Sequence, residues 1–425
     1  MSQQVVWVTT PNIAVIKYWG KRDAAAMAPL NSSLSIALGA DTLRTLTTAT
    51  LAPAGTPADE LEMNGVRVAP GTAAHARFAR CLARLRANLP ASAPAHARRV
   101  LVRSRNSFPT GAGVASSASG LAGVAVAAAH ALGIPAHDPA IAHAARMGSG
   151  SACRSCLGGF VLWRCDPELN TPTPSNPASA TANDPSSDPA SASTTPGPER
   201  SCVEAVADAA HWPGLRLAVL LASAREKRVG STAGMQQTVA TSDLLAARVA
   251  RVPAYIDAAA RAIAARDLSA LAACAMRDSN QLHAVCLDTT PPLVYMTDVG
   301  HAACALVHAL NAVAGAVVAG YTFDAGPNPV LLADARDMPL VLSLFAHFFP
   351  GFPEKPGDAS QSAHTGLLAP AALARIAEAA GFTEWHERSA FVDVLVCKVG
   401  EGPFAVAGDI TEPDEDLLAR PHLSF

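Results

Sequence analysis

Two kinds of apolar pattern alternate along the chain. Short apolar runs bounded by turn residues predict strands at 5–9, 13–16, 34–38, 100–103, 159–163, 215–222, 316–323, 329–332 and 391–398. Longer stretches with apolar positions three or four apart predict helices at 73–89, 117–132, 138–147, 235–248, 253–266, 268–282, 296–314 and 337–349. Gly133 and Pro135 stop one helix, and Gly148 stops the next. The elements mix without a clean strand–helix–strand repeat, which favours an α+β fold over a doubly wound sheet. No repeat of solenoid period is present. Residues 166–200 stand apart. They are almost wholly Pro, Ser, Thr, Ala, Asn and Asp, without apolar periodicity. They read as a disordered insertion or linker, either at a domain boundary or inside one hairpin close to it.

Composition narrows the picture. The chain has 425 residues, half of them hydrophobic, enough for two domains with sizeable cores. Only 16% are charged and the net charge is −3, which argues against a general nucleic-acid binder. Nine irregularly spaced cysteines do not form a disulfide framework, and the lone Cys153–Cys156 spacing reads as buried thiols rather than a metal site. The N-terminus lacks the pattern of a signal peptide. The best membrane-span candidate, 302–320, carries His308 and Asn311 and reads as a buried helix followed by a strand. The expectation is a soluble, cytoplasmic protein without membrane or nucleic-acid partners.

Against this bias the lysines stand out. Only five of 32 basic residues are lysine, and Lys17 and Lys21 lie four apart near the N-terminus. A compact ammonium is chemically distinct from the guanidinium fork, so these positions suggest a site. Five segments carry candidate chemistry. PTGAGVASSASG (109–120) is a Gly/Ser loop leading into a helix, suited to cradling phosphate, or simply a loop with a serine cap. GSGSACRSCLGG (148–159) joins small residues to one fixed cation, Arg154, and alone it could be a turn with a surface arginine. REKRVGSTAGM (225–235) leads three cations into a helix, or is a solvated charge run. NIAVIKYWGKRD (12–23) ends a strand in two lysines, where a site often lies, or is an amphipathic strand with exposed lysines. YTFDAGPN (321–328) holds Asp324 at a strand end, or at an ordinary aspartate turn. Together, two anion loops, a third basic one, several cations and one carboxylate suit phosphoryl transfer.

These segments, with LNSSLS (30–35) and DSNQLHAVCLDTTPP (278–292), resemble the diphosphomevalonate decarboxylase family of the GHMP kinase superfamily. The resemblance spans roughly residues 5–332. It implies a GHMP kinase fold: an N-terminal ribosomal protein S5 domain 2-like α/β domain (1–200) and a C-terminal ferredoxin-like α+β domain (201–425). It implies ATP and Mg2+ as cofactors, diphosphomevalonate as substrate, isopentenyl diphosphate as product, and a homodimer. By position, Asp324, Arg154, Lys21 and Asn12 would be catalytic. Ser104, Asn106, Pro109, Gly111, Gly113, Ser116, Ser117 and Ser119 would hold the nucleotide. Tyr18, Lys21, Ser149, Gly150, Ser151, Arg154 and Ser231 would hold the substrate. The metal would be carried mainly by ATP, with Ser117 as a candidate ligand. Sister readings remain: a mevalonate 3-kinase, a phosphomevalonate decarboxylase, or a non-catalytic superfamily relative.

Overall fold

A computed structural model describes residues 4–89, 99–108, 116–165, 202–222, 227–353, 357–420 and 422–423. The expected insertion 166–200, the loop residues 109–115 and Arg225 lie outside the described residues. Three larger sheets carry the described chain. The first orders Phe404–Ala407, Val5–Thr9, Thr45–Leu51, Val100–Asn106, Glu60–Met63 and Val66–Arg67. Its neighbours run antiparallel, except Glu60–Met63 beside Val100–Asn106. The helix Ser116–Ala131 packs on this sheet with Val124 and Ala128 in one cluster with Trp7 and Val102. The alanine bias has a structural use here. Small side chains let the helix lie close, and a Cβ on Gly123 would collide with the hydroxyls of Thr47 and Thr9. Helices Ala73–Ala87 and Pro139–Gly148 add Phe78, Leu82 and Ile141 to the same core. Thr72 and Asp138 cap them by accepting backbone N–H bonds from His75 and Ala140.

The second sheet orders Val203–Ala207, Phe160–Trp163, Ser33–Ala37 and Asn12–Ile16, and the third Ala319–Phe323, Pro329–Asp334, Leu215–Leu221 and Asp393–Lys398. Both are antiparallel throughout. One apolar cluster joins them. It takes Ile13, Val15 and Leu34 from the second sheet and Leu217, Val219 and Leu332 from the third. Helices Leu244–Ala265 and Leu268–Leu287 complete it with Ile256, Ile263 and Leu271. Another cluster packs Asp298–Ala314, Met338–Phe348 and Pro370–Ala380 with the third sheet, around Phe345, Phe349 and Phe391. The class is the α+β one expected.

Several expectations need correction. The helices predicted at 235–248 and 253–266 are instead Ser231–Thr241 and Leu244–Ala265, the second running through Pro253. The break falls earlier because Asp288 accepts from the Ser242 hydroxyl and the Leu244 N–H, starting a new helix there. Pro253 costs one helical bond, but the buried stripe of Leu245, Arg248, Val252, Ile256 and Ala259 continues past it. Thr45–Leu51 escaped the apolar pattern because its sequence, TLTTATL, is mostly threonine. Two strands cross the division expected at residue 200. Val203–Ala207 pairs with Phe160–Trp163, so the insertion joins two strands of one hairpin. Phe404–Ala407 returns to Val5–Thr9.

Residues 302–320 cover most of the helix Asp298–Ala314 and the start of the strand Ala319–Phe323. Asn311 is explained by its bonds, donating to Ala319 O and accepting from Val318 N–H. Among the described residues, no helix is long and apolar enough to cross a membrane.

Candidate active site

Two strand ends meet where the second and third sheets approach. Asn12–Ile16 leads into Lys17, and Ala319–Phe323 leads into Asp324. Lys17 Nζ lies 2.7 Å from Asp324 Oδ1. The lysine side chain is 2% exposed, whereas Asp324 keeps 38% of its side-chain surface open. Burial alone would raise the Asp324 pKa, but Lys17, its hydrogen bond, Arg154 and Lys227 outweigh that and hold the carboxyl below its ordinary value. At neutral pH this group is a carboxylate.

Arg154 is fixed from three sides. It sits on the short 3-10 helix Gly150–Cys156, which directly follows Pro139–Gly148. Its Nε donates to Asn12 Oδ1 (3.1 Å) and its Nη1 to Ser33 Oγ (2.7 Å). Its guanidinium lies 5.9 Å from the Trp163 ring centroid. Gly150 has no room for a side chain, since a Cβ there would stand 2.9 Å from the Tyr18 ring. Tyr18 is packed so tightly that burial pushes its hydroxyl pKa well up, so it stays protonated.

These groups line a cleft of about 510 Å3. Of the sequence-derived candidates, it gathers Tyr18, Lys21, Ser116, Ser117, Ser149, Gly150, Ser151, Arg154, Ser231 and Asp324. Ser116 and Ser117 open the helix Ser116–Ala131, whose N-terminus therefore borders the cleft, an arrangement suited to phosphate. Lys227 donates to Ser231 Oγ and to Ala325 O, tying the third basic segment to the Asp324 turn.

Four candidates lie elsewhere. Asn12 is buried behind Arg154, donating to Ser151 O and Ser155 Oγ while accepting from Arg154. It holds the arginine and does not line the cleft. Ser104 is paired with Thr47 inside the first sheet. The Thr45 hydroxyl bridges Asn106 Oδ1 and Ser119 Oγ, and Ser119 is fully buried. These three side chains seal the seam between sheet and helix and do not line the cleft. Pro109, Gly111 and Gly113 lie outside the described residues.

Sequence reasoning left four cleft cations unassigned: Lys17, Arg77, Arg80 and Lys227. Arg77 and Arg80 are one turn apart on Ala73–Ala87, a spacing that could have flagged them. Burial, and then the field of these two arginines, lowers the Lys21 pKa. Burial also lowers that of Lys227. Among the described residues lining the cleft, six are basic and one, Asp324, is acidic. Such a cavity attracts a compact polyanion. Among the described residues no group of three His, Cys, Asp or Glu could hold a metal.

Comparison with known proteins agrees with this geometry. Residues 9–172 match the diphosphomevalonate decarboxylase-like N-terminal domain, and residues 217–406 match the mevalonate 5-diphosphate decarboxylase C-terminal domain. The chain is 43% identical over 336 residues to diphosphomevalonate decarboxylase mvd1 of Aspergillus fumigatus, covering 78% of this chain and 76% of that one. It is 40% identical over 412 residues to the human diphosphomevalonate decarboxylase, covering 94% and 92%. The structure superposes on mevalonate diphosphate decarboxylase from Trypanosoma brucei with a TM-score of 0.76, 30% identity and coverage of 97% and 100%. It also superposes on MDDEF in complex with MVAPP, AMPPCP and magnesium, with a TM-score of 0.66, 26% identity and coverage of 96% and 99%. With both halves matched in order and about three quarters or more of each relative covered, this chain belongs to the diphosphomevalonate decarboxylase family.

Proposed function

We propose that this chain catalyses the ATP-dependent decarboxylation of (R)-5-diphosphomevalonate to isopentenyl diphosphate, CO2, ADP and phosphate, acting in the cytoplasm as a homodimer. The observation that carries this reading is the charge pattern of the cleft, where the described lining residues place six basic side chains around one carboxylate. The substrate bears a diphosphate and a carboxylate, so it matches a cationic pocket at two separated points. Lys21, in the field of Arg77 and Arg80, lines the cleft with Ser149 and Ser151, and this set suits the diphosphate. Arg154, anchored by Asn12 and Ser33, suits a carboxylate through its planar fork.

Asp324 then faces the C3 hydroxyl. Its depressed pKa makes it a hydrogen-bond acceptor that aligns the hydroxyl oxygen for attack on the terminal phosphoryl group, and phosphoryl transfer asks more for alignment than for a strong base. Lys17 fixes that carboxylate and shares its charge. The phosphorylated C3 oxygen becomes a good leaving group. As the C–O bond breaks, positive charge grows at C3 beside the Asp324 carboxylate. Loss of CO2 delivers the electron pair that forms the double bond. Ser116, Ser117 and the helix they open suit the nucleotide phosphates. Magnesium, when bound, would neutralise phosphate oxygens, with Ser117 as the protein hydroxyl placed to help hold it.

A product assay with mono- and diphosphorylated mevalonate side by side tests the reading. CO2 release coupled to ATP hydrolysis is expected with the diphosphate alone. A stable 3-phosphate product, or equal turnover of the monophosphate, would overturn it in favour of a sister activity. Sedimentation of the purified chain tests the dimer.

A further inference from the structure

The Lys17–Asp324 contact is assembled from two sheets, and neither ladder holds its members directly. Lys17 follows the last residue of Asn12–Ile16, where pairing with Ser33–Ala37 is already irregular. Asp324 follows Phe323, whose cross-strand partner is Pro329, a residue without an N–H. Both backbones therefore leave their sheets at the positions that matter to the chemistry.

One helix takes over. Asp278 and Ser279 are consecutive residues in the middle of Leu268–Leu287, both fully buried. Asp278 Oδ2 accepts the Lys17 N–H at 2.7 Å. Ser279 Oγ accepts the Phe323 N–H at 2.9 Å. One turn on, the His283 ring is hydrogen-bonded to the Asp324 backbone and lies edge-on to Phe323. The Lys17 carbonyl is held as well, by Asn31 Nδ2 at 2.9 Å and Arg248 Nη2 at 3.3 Å. Arg248 also pairs with Asp278 at 2.9 Å.

This arrangement is a poor investment if stability is its only product. Buried ion pairs are often no better than apolar packing of the same volume. Arg248 also leaves Nε and Nη1 without partners among the described residues. What the pair does supply is a fixed direction for one peptide. We infer that Asp278 and Ser279, with Arg248 behind them, are positioning residues that set the Lys17–Asp324 contact for the reaction proposed above. The inference rests on that reading of the function. Neither Asp278 nor Ser279 lines the cleft. They act through the backbones that carry the two reacting groups, tying a strand end of the second sheet to a strand end of the third.

The test uses the full chain and the variants S279A, S279T and D278N. For S279A the expected result is a kcat lower by about tenfold, the weight of one buried hydrogen bond, with KM for both substrates within about twofold of wild type. The acidic limb of kcat should move to higher pH. The groups facing Asp324 are Lys17, Arg154, Lys227 and His283, and a looser Lys17 contact leaves burial to dominate. S279T keeps the hydroxyl and should recover most of the loss. D278N, which keeps an acceptor for Lys17 but unbalances Arg248, should lose more kcat than S279A. Should D278N fail to fold, S279A still decides. An S279A enzyme with wild-type kcat and limb, changed only in melting temperature, would overturn the inference. A second measurement needs no substrate: the carboxyl titration of Asp324, followed by carbon NMR and assigned with D324N. It should move upward in S279A. If wild type releases no CO2, the proposed function fails. The titration still decides the positioning role, and an unmoved titration in S279A overturns it.

Discussion

Lys17 stands between two interior carboxylates. Its ammonium meets Asp324 and its backbone N–H meets Asp278. Asp324 opens to a cleft and faces three cations, so its pKa is held down. Asp278 is sealed. Burial dominates there and raises its pKa, despite Arg248 and the Lys17 N–H. The same residue type, bonded to opposite ends of one lysine, is thus tuned in opposite directions. The balance between desolvation and cation count decides the direction. The open pair can exchange partners with a ligand, whereas the closed pair can only hold shape. Functional and structural ion pairs differ here in access to solvent rather than in composition.

The contrast can be broken from the open side first. D324N should cut kcat by about a thousandfold or more while leaving the KM for diphosphomevalonate within about threefold, because it removes charge from the transition state and not from ground-state binding. CO2 release and calorimetric binding measure the two parts. R154M should weaken diphosphomevalonate binding about a hundredfold and ATP binding much less, since a desolvated, anchored cation is lost from one end of the cleft.

On the closed side, R248M should cost about 3–5 kcal/mol of stability by leaving Asp278 buried and unpaired. The double variant R248M/D278L should recover much of that loss in denaturant unfolding, if the pair contributes little net stability. K17M joins the two sides. Removing the ammonium leaves burial to govern Asp324, so its pKa rises and activity is lost at a higher pH than in wild type. A pH–rate profile reads the direction.

The smallest effect belongs to His283, whose pKa burial and the Lys17 charge lower to about 4. Its contribution to stability is complete above the unfolded value of about 6.5 and declines as pH falls toward about 4, by about 3 kcal/mol at most. H283N should show a shallower fall in melting temperature over that window than wild type.

Much of this was legible in the sequence. The α+β class and most strands followed from apolar period, and the motif segments brought ten candidates into one cleft. The misses have physical reasons. Asn12 and Ser119 lie in motif segments and Ser104 and Asn106 just ahead of one, but sequence cannot show which face a side chain takes. Lys17 was visible as a rare lysine ending an apolar strand, yet its partner lies 307 positions away. Asp278 and Arg248 did carry a signal. Asp278 falls on the buried stripe of Leu271, Ala275 and Leu282, and Arg248 on that of Leu245, Val252 and Ile256. Opposite charges on the apolar stripes of consecutive helices predict a pair, because neither can be buried alone. Pro253 misled because a continuous apolar face outweighs one lost helical bond.

The return of Phe404–Ala407 to Val5–Thr9 governs when the molecule can be finished. During synthesis the first strand emerges early, but its outer neighbour emerges some 400 residues later, on the order of 20–80 s at ordinary elongation rates. Until then Val5–Thr9 presents a bare edge, the kind of surface that recruits stray strands. Chaperone demand should therefore concentrate on the nascent N-terminal half. A fragment ending before residue 404 would keep that edge permanently, so the first sheet is completed only once Phe404–Ala407 has left the ribosome.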